Sequence, residues 1–289
     1  MTRPITVGVD GSPESAAAAA WAGREAVRRG RPLRIVHAWQ WEPYEIAPAA
    51  DRGTQAGWAR ETAEKARRTL IERHPELTVT AEALEGPFVA TLVAEAAAAE
   101  LLVLGSRGHG AVVGFLLGSV GRQVIAESAR PVVLVRSDDR AAAEAAGREI
   151  VVGQHGEPDD SAPALGFAFA TAAARGAAVR VVRAWSLPPV FAYSPGSLKL
   201  LDEAGGLEPY ERKGLDEALR PWRERFPDVP VTEHVEMGSA GQVLLSAAAR
   251  AQLVVVGRHS SRAVGPRIGS VAHALLHHAP CPVAVIPPA

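Results

Sequence analysis

Short apolar runs rich in valine, isoleucine and leucine alternate along the chain with longer stretches in which alanine and leucine are interleaved with charge. Ile5-Thr6-Val7-Gly8-Val9 is the first such run; Leu33 to Trp39, Leu77 to Leu84, Glu100 to Leu104 and Pro131 to Val135 follow. Continuous apolar runs of this kind predict strands buried on both faces. Pro13 to Arg29, Ala56 to Arg73, Phe88 to Ala99 and Ser119 to about Ser128 carry helical patterning between them, with Gly30 as the stop signal of the first. A polar, proline-bearing loop occupies Gln40 to Gly53. These connections are too long for hairpins, so the pattern predicts a parallel sheet with helices on both faces. In such sheets ligands bind at the carboxyl ends of the strands, where strand order reverses.

The second half repeats the first with a period of about 150 residues. Ile150-Val151-Val152-Gly153 parallels Ile5-Thr6-Val7-Gly8, and Arg180 to Trp185 parallels Arg34 to Trp39. Leu253 to Gly257 parallels Leu101 to Gly105, Gly269-Ser270-Val271 parallels Gly118-Ser119-Val120, and Pro282 to Val285 parallels Pro131 to Leu134. The expected organisation is two tandem domains, 1–137 and 148–289, joined by the charged, alanine-rich stretch Ser137 to Arg148.

Composition narrows the setting. The 289 residues are 47% hydrophobic, enough for a core in each half, and the formal net charge of −1 supplies no global field toward nucleic acid or an anionic membrane. The lone Cys281 excludes an intramolecular disulfide and fits a reducing compartment. The N-terminus runs directly into a strand without an apolar leader, and the alanine runs are too short to span a bilayer. A soluble, cytoplasmic protein with no nucleic-acid or membrane partner is expected.

The chemistry concentrates between Leu104 and Val120. Gly105 and Gly108 allow a backbone to approach a ligand closely, and Gly118-Ser119 opens a helix whose free N–H groups favour an anion. The alternative is a glycine-rich turn with an N-cap serine. Asp10, at the end of the first strand, suits ribose hydroxyls or magnesium, or caps the following helix; the two roles are compatible. If the first and fourth strands are neighbours, Asp10 and the glycine segment face one pocket. Arg107 and His109 either touch phosphates or are solvated. Phe115, Leu116 and Leu117 fit core packing or an interdomain contact, and Trp39, Trp41, Trp185 and Trp222 fit core or interface positions. His277-His278-x2-Cys281 has metal-ligand chemistry, although a surface turn is the simpler account. No P-loop lysine, nucleophile elbow or His-Glu-x2-His motif is present, so no general base is assigned and the catalytic set is empty.

On these residues each half resembles a universal stress protein domain, and the chain is similar to the tandem form common in actinobacteria. Gly105-x2-Gly108-x9-Gly118-Ser119 matches that family's ATP-binding signature, and Gly8-Val9-Asp10-Gly11-Ser12 matches its usual opening. The resemblance implies an α/β fold of two doubly wound five-stranded parallel sheets, adenine nucleotide alpha hydrolase-like, in the order 3-2-1-4-5. It also implies ATP, with magnesium at Asp10 through the phosphates, held by Gly8, Val9, Asp10, Ala38, Leu104, Gly105, Gly108, Gly118, Ser119 and Val120. Of these, Ala38 would offer its backbone to the adenine edge.

The second half departs from the signature. His155 replaces Asp10, Glu157 replaces Ser12, Ser260 replaces the second glycine, and the loop is one residue shorter. Gly257, Ser260, Gly269, Ser270 and Val271 therefore form a weaker second site, to which Arg258, Arg262 and Arg267 add positive charge. The resemblance further implies pairing of the fifth strands in an intramolecular pseudo-dimer, and a homodimer of chains. The functional expectation is nucleotide-dependent signalling in stress response or dormancy. The alternatives are a slow ATPase or phosphotransfer enzyme, and a nucleotide-independent scaffold.

Overall fold

The computed structural model describes residues 2–41, 51–106, 118–137, 148–187, 206–258 and 268–288. They form two compact units. The first contains the described residues from 2 to 137 together with Arg258, Ile268 and Pro282–Pro287; the second contains 148–257, 269–281 and Pro288.

In the first unit, β1 (Ile5–Gly8), β2 (Leu33–Trp39), β3 (Val79–Glu85), β4 (Leu101–Ser106) and β5 (Val132–Arg136) alternate with α1 (Pro13–Arg29), α2 (Arg52–Arg73), α3 (Phe88–Ala98) and α4 (Ser119–Glu127). The sheet order is β3-β2-β1-β4-β5, and these pairs are all parallel, as the resemblance implies. Val283–Ile286 joins the β5 edge antiparallel, with Val283 opposite Leu134 and Val285 opposite Val132. Ile5, Val7, Leu101, Leu102, Val103 and Val132 to Val135 are all buried, which is why β1, β4 and β5 read as continuous apolar runs. Edge strand β3 instead exposes Thr80, Glu82 and Glu85.

Helix α1 explains the tight packing of this unit. Its sheet-facing alanines, Ala18, Ala19, Ala22 and Ala26, let it lie close to the strands, with Trp21 fully buried beside them. Gly30, at φ 59°, ends it in the left-handed conformation that glycine adopts without steric cost. Helix α2 begins at Arg52, one turn before the patterned stretch from Ala56, because Asp51 accepts a hydrogen bond from the Thr54 N–H at 2.7 Å and caps it.

The second unit carries β6 (Glu149–Gln154), a 3₁₀ turn (Pro158–Ser161), α5 (Ala162–Arg175), β7 (Val179–Trp185), α6 (Glu208–Arg225), β8 (Val231–Met237), α7 (Ala240–Ala248), β9 (Ala251–Gly257) and α8 (Ser270–His278). Its strands lie in the order β8-β7-β6-β9, again parallel. Trp222 of α6 stacks on Phe169 of α5 with centroids 6.2 Å apart. The remaining strand, β10, is Val283–Ile286.

Candidate functional site

The sequence does not say which residue caps α1; the structure does. Ser12 is the N-cap, its Oγ accepting from the Ser15 N–H at 3.1 Å, and Asp10 is left outside the helix. Asp10 instead holds the cap. Its Oδ1 accepts from both the N–H of Ser12, at 3.0 Å, and the Ser12 hydroxyl. Ser15 closes the turn by accepting from the Asp10 N–H at 3.2 Å and donating to the Ser12 carbonyl at 3.0 Å. Partial burial alone would raise the Asp10 carboxyl, but the Ser12 hydroxyl and N–H, Ser15 and the charge of His37 together hold it below the usual carboxylate range. Oδ2 has no hydrogen-bond partner among the described residues, so one carboxylate oxygen is fixed and the other remains to accept from a ligand hydroxyl or a hydrated cation.

β1 and β4 are neighbours, with Ile5 opposite Leu101 and Val7 opposite Val103, so Asp10 and the end of β4 share the carboxyl edge. α4 returns the chain to the amino end of β5 through the short turn from Ser128 to Pro131, which puts its own first residue, Ser119, at the carboxyl edge as well. Its N-cap is Gly118 and no side chain caps it, so the N-cap serine of the turn reading does not occur: Ser119 is the first helical residue. The first intrahelical bond is from the Arg122 N–H to the Gly118 carbonyl, which leaves the N–H groups of Ser119, Val120 and Gly121 without helical acceptors. A Cβ at Gly118 would meet no atom of the described residues within 4 Å. Contacts with the described residues therefore do not require glycine there.

Gly105 is different. A Cβ there would lie 2.6 Å from the carbonyl carbon of Glu14 and 2.7 Å from the nitrogen of Ser15. Its lack of a side chain lets the first turn of α1 sit on the end of β4, which brings the Asp10 turn to the cleft. Gly8, Val9 and Leu104 belong to the core: Val9 and Leu104 are buried, and Leu104 fills the space beside Gly8. Only their backbones are available to a ligand. Ala38 pairs with Leu84 of β3 and lies beyond the end of β1, which stops at Gly8 opposite Val36.

His37 is the site residue that sequence reasoning missed. Its Nδ1 lies 2.6 Å from the carbonyl oxygen of Val9, and since that oxygen can only accept, Nδ1 donates. The signal was available in the repeat: strand Arg34 to Trp39 recurs as Arg180 to Trp185, but with Arg183 in place of His37.

That exchange reshapes the second unit. Arg183 donates to Gln154 Oε1 at 2.5 Å and to the Gly156 carbonyl at 3.0 Å, and it pairs with Glu211 at 2.6 Å. Both charged side chains are largely withdrawn from solvent, at 13% and 18% exposure. His155 takes the position of Asp10, its N–H donating to Ser161 Oγ at 3.0 Å. A cation already tied to protein acceptors thus lies next to the place where the first unit presents a free carboxylate oxygen. Gly257 packs loosely, its nearest neighbour for a Cβ being His155 at 3.9 Å. Gly269, without side-chain capping, and Ser270 still open α8 as Gly118 and Ser119 open α4, with Val271 next.

Arg107, Gly108, His109, Phe115, Leu116, Leu117, Ser260, Arg262 and Arg267, with most of the linker, lie outside the described residues. His277 and His278 end α8 and Cys281 lies in the turn before Val283, the helix-to-strand turn of the simpler reading; His278 is exposed, while Cys281 is buried. Among the described residues, no three His, Cys, Asp or Glu side chains are grouped to hold a metal ion, and no helix is long and apolar enough to cross a membrane. Trp41 and Trp58 are exposed, at 42% and 63%, so Trp41 is not a core residue.

Two tandem α/β units, with a carboxylate and a helix start without a side-chain cap on one sheet edge of the first, define a protein of the doubly wound class. A sequence model described as the universal stress protein family matches residues 1–136 and 147–287. The chain is 34% identical to a universal stress protein of Mycobacterium tuberculosis over 298 residues, covering 99% of each chain. It is 33% identical to one of Mycolicibacterium smegmatis, covering 98% of this chain and 97% of that one. Its fold is similar to the crystal structure of a universal stress protein from Archaeoglobus fulgidus, with a TM-score of 0.67 at 16% identity over 98% of both chains. The chain belongs to the universal stress protein family, in its tandem two-domain form.

Proposed function

We propose that the first unit binds ATP at the carboxyl edge of β1 and β4, and that the protein acts in stress response through nucleotide-dependent conformation and partner binding. The observation that carries this reading is the pairing of chemistries on one edge: a carboxylate at Asp10 with one oxygen that has no partner among the described residues, and three N–H groups without helical acceptors at the start of α4. Donors of that kind suit phosphate, and a low-pKa carboxylate suits ribose hydroxyls or a magnesium ion carried by the phosphates. Gly118, Ser119 and Val120 hold the phosphates, Gly105 and Gly108 line the ribose and phosphates, Ala38 meets the base through its backbone, and Gly8, Val9 and Leu104 form the floor. Bound magnesium would supply charge neutralisation between phosphate oxygens.

In the second unit His155 stands where the carboxylate would be needed, and Arg183, already paired with Glu211, bonds to Gln154 and Gly156 on either side of it. The expected stoichiometry is therefore one nucleotide per chain, with the domains taken as 1–137 and 148–289. Chromatography of the supernatant from denatured protein, combined with calorimetric titration of ATP, tests this. Gly118→Val should abolish the ATP-dependent rise in melting temperature, because two added methyl groups occupy the approach to the helix start. Retained ATP binding in that variant would overturn the assignment, and two nucleotides per chain would overturn the asymmetry. Steady phosphate release lost in Asp10→Ala would favour an ATPase.

A further inference from the structure

We propose that the first unit has a second small-molecule site, on the opposite flank of α2 from the Asp10 turn, which takes a planar aromatic carboxylate. An open cavity of about 440 Å³ is lined by Trp39 of β2, Ala83 and Glu85 of β3, and Arg52, Gly53, Ala56 and Arg60 of α2. Arg52, Ala56 and Arg60 are spaced i, i+4, i+8 and so form one row along the helix. Ala83 and Glu85 share a face of β3, and Glu85 is the cross-strand partner of Trp39. Three of the lining positions, Gly53, Ala56 and Ala83, carry side chains no larger than a methyl group. Glycine in a helix costs about 1 kcal/mol relative to alanine, so Gly53 contributes nothing to α2 itself.

The lining is chemically selective. Trp39 supplies an aromatic surface. Arg52 is already paired with Glu85 at 2.8 Å, whereas Arg60 has no hydrogen-bond or ion-pair partner among the described residues. Among the described residues the cavity thus carries one positive charge without an acidic partner, beside an aromatic wall and small side chains, which matches a ring bearing one carboxylate. The Arg52–Glu85 pair adds a donor and an acceptor at the rim. Cavities of this size hold ligands of two or three rings.

The site is separate from the nucleotide cleft. Thr62 of α2 lies 3.7 Å from the position of a Cβ on Gly11, so that flank of the helix meets the Asp10 turn. Position 60 is about 200° away from position 62 around a helix of 3.6 residues per turn. Arg60 and Thr62 therefore face opposite sides.

Calorimetric titration of the full chain with 2-naphthoate, and with neutral 2-naphthamide as the comparison ligand, tests the proposal. Wild type should bind one naphthoate saturably and bind the amide at least fivefold more weakly. Arg60→Ala should weaken naphthoate about five- to tenfold, since a charge-assisted contact is lost. Ala56→Leu, which fills the cavity with a good helix former, should abolish binding at an unchanged melting temperature. Saturating ATP should leave naphthoate affinity unaltered, and Arg60→Ala should leave the ATP-induced thermal shift unaltered. Absence of saturable binding in wild type, unchanged affinity in either variant, or displacement by ATP would overturn it. Failure to bind ATP at all would overturn the proposed function and leave the naphthoate result standing.

Discussion

Replacing Gly105 with alanine isolates the contact on which the position of the Asp10 turn depends. The added Cβ would lie 2.6 Å from the Glu14 carbonyl carbon and 2.7 Å from the Glu14 oxygen and the Ser15 nitrogen, about 1 Å inside ordinary contact. All three are backbone atoms in the first turn of α1, so no side chain can rotate away; the helix start itself must move. Overpacking of this kind costs about 1–3 kcal/mol, and a backbone obstacle places the change in the upper half of that range. The equivalent substitution in the other repeat provides the control, because among the described residues a Cβ on Gly257 meets nothing closer than His155 at 3.9 Å. Neither glycine has a positive φ, so alanine strains neither backbone. Scanning calorimetry should show Gly105→Ala lowering the melting temperature by about 6–12 °C, from roughly 3–4 °C per kcal/mol for a unit of this size. Gly257→Ala should stay within about 0.5 kcal/mol of wild type. Equal shifts in the two variants, or a larger one in Gly257→Ala, would refute the packing argument.

Asp10→Asn should make the acid limb of stability less steep. Because the folded-state pKa of Asp10 lies below its ordinary value, its contribution is fully present above about pH 4 and is lost as the pH falls through the lowered folded value. Urea unfolding between pH 3 and 7 should therefore show wild type ahead of the variant at neutral pH, with the gap closing in acid. A gap that widens toward low pH would contradict the sign. Arg183→Ala should cost about 1–3 kcal/mol, because Gln154 and Glu211, both largely out of solvent, lose their partner. Denaturant unfolding should place it well below Arg52→Ala, whose pair with Glu85 is exposed to solvent and screened.

Apolar periodicity along the chain determined the alternation of strands and helices, the duplication and the edge on which ligand chemistry would gather. These are local properties: a run such as Leu101 to Leu104 can satisfy its burial only inside a covered sheet. The strands read from the sequence begin and end within two residues of the predicted positions, β8 was not among them, and α2 starts earlier because a capping bond at Asp51 acts without any apolar signal. Asp10 and Gly118 were legible as candidate chemistry because the strand–helix alternation puts both on the carboxyl edge of one parallel sheet. The reason for Gly105 was not legible, because it lies in the approach of a backbone distant in the chain. Tertiary structure also decided that Ser12 rather than Asp10 caps α1, that His37 stands behind the carboxylate, and that Arg183 with Glu211 fills the corresponding place in the second unit. Periodicity encodes which side of an element is buried, whereas the partner that each buried or polar group meets is set only when the strands and helices are brought together.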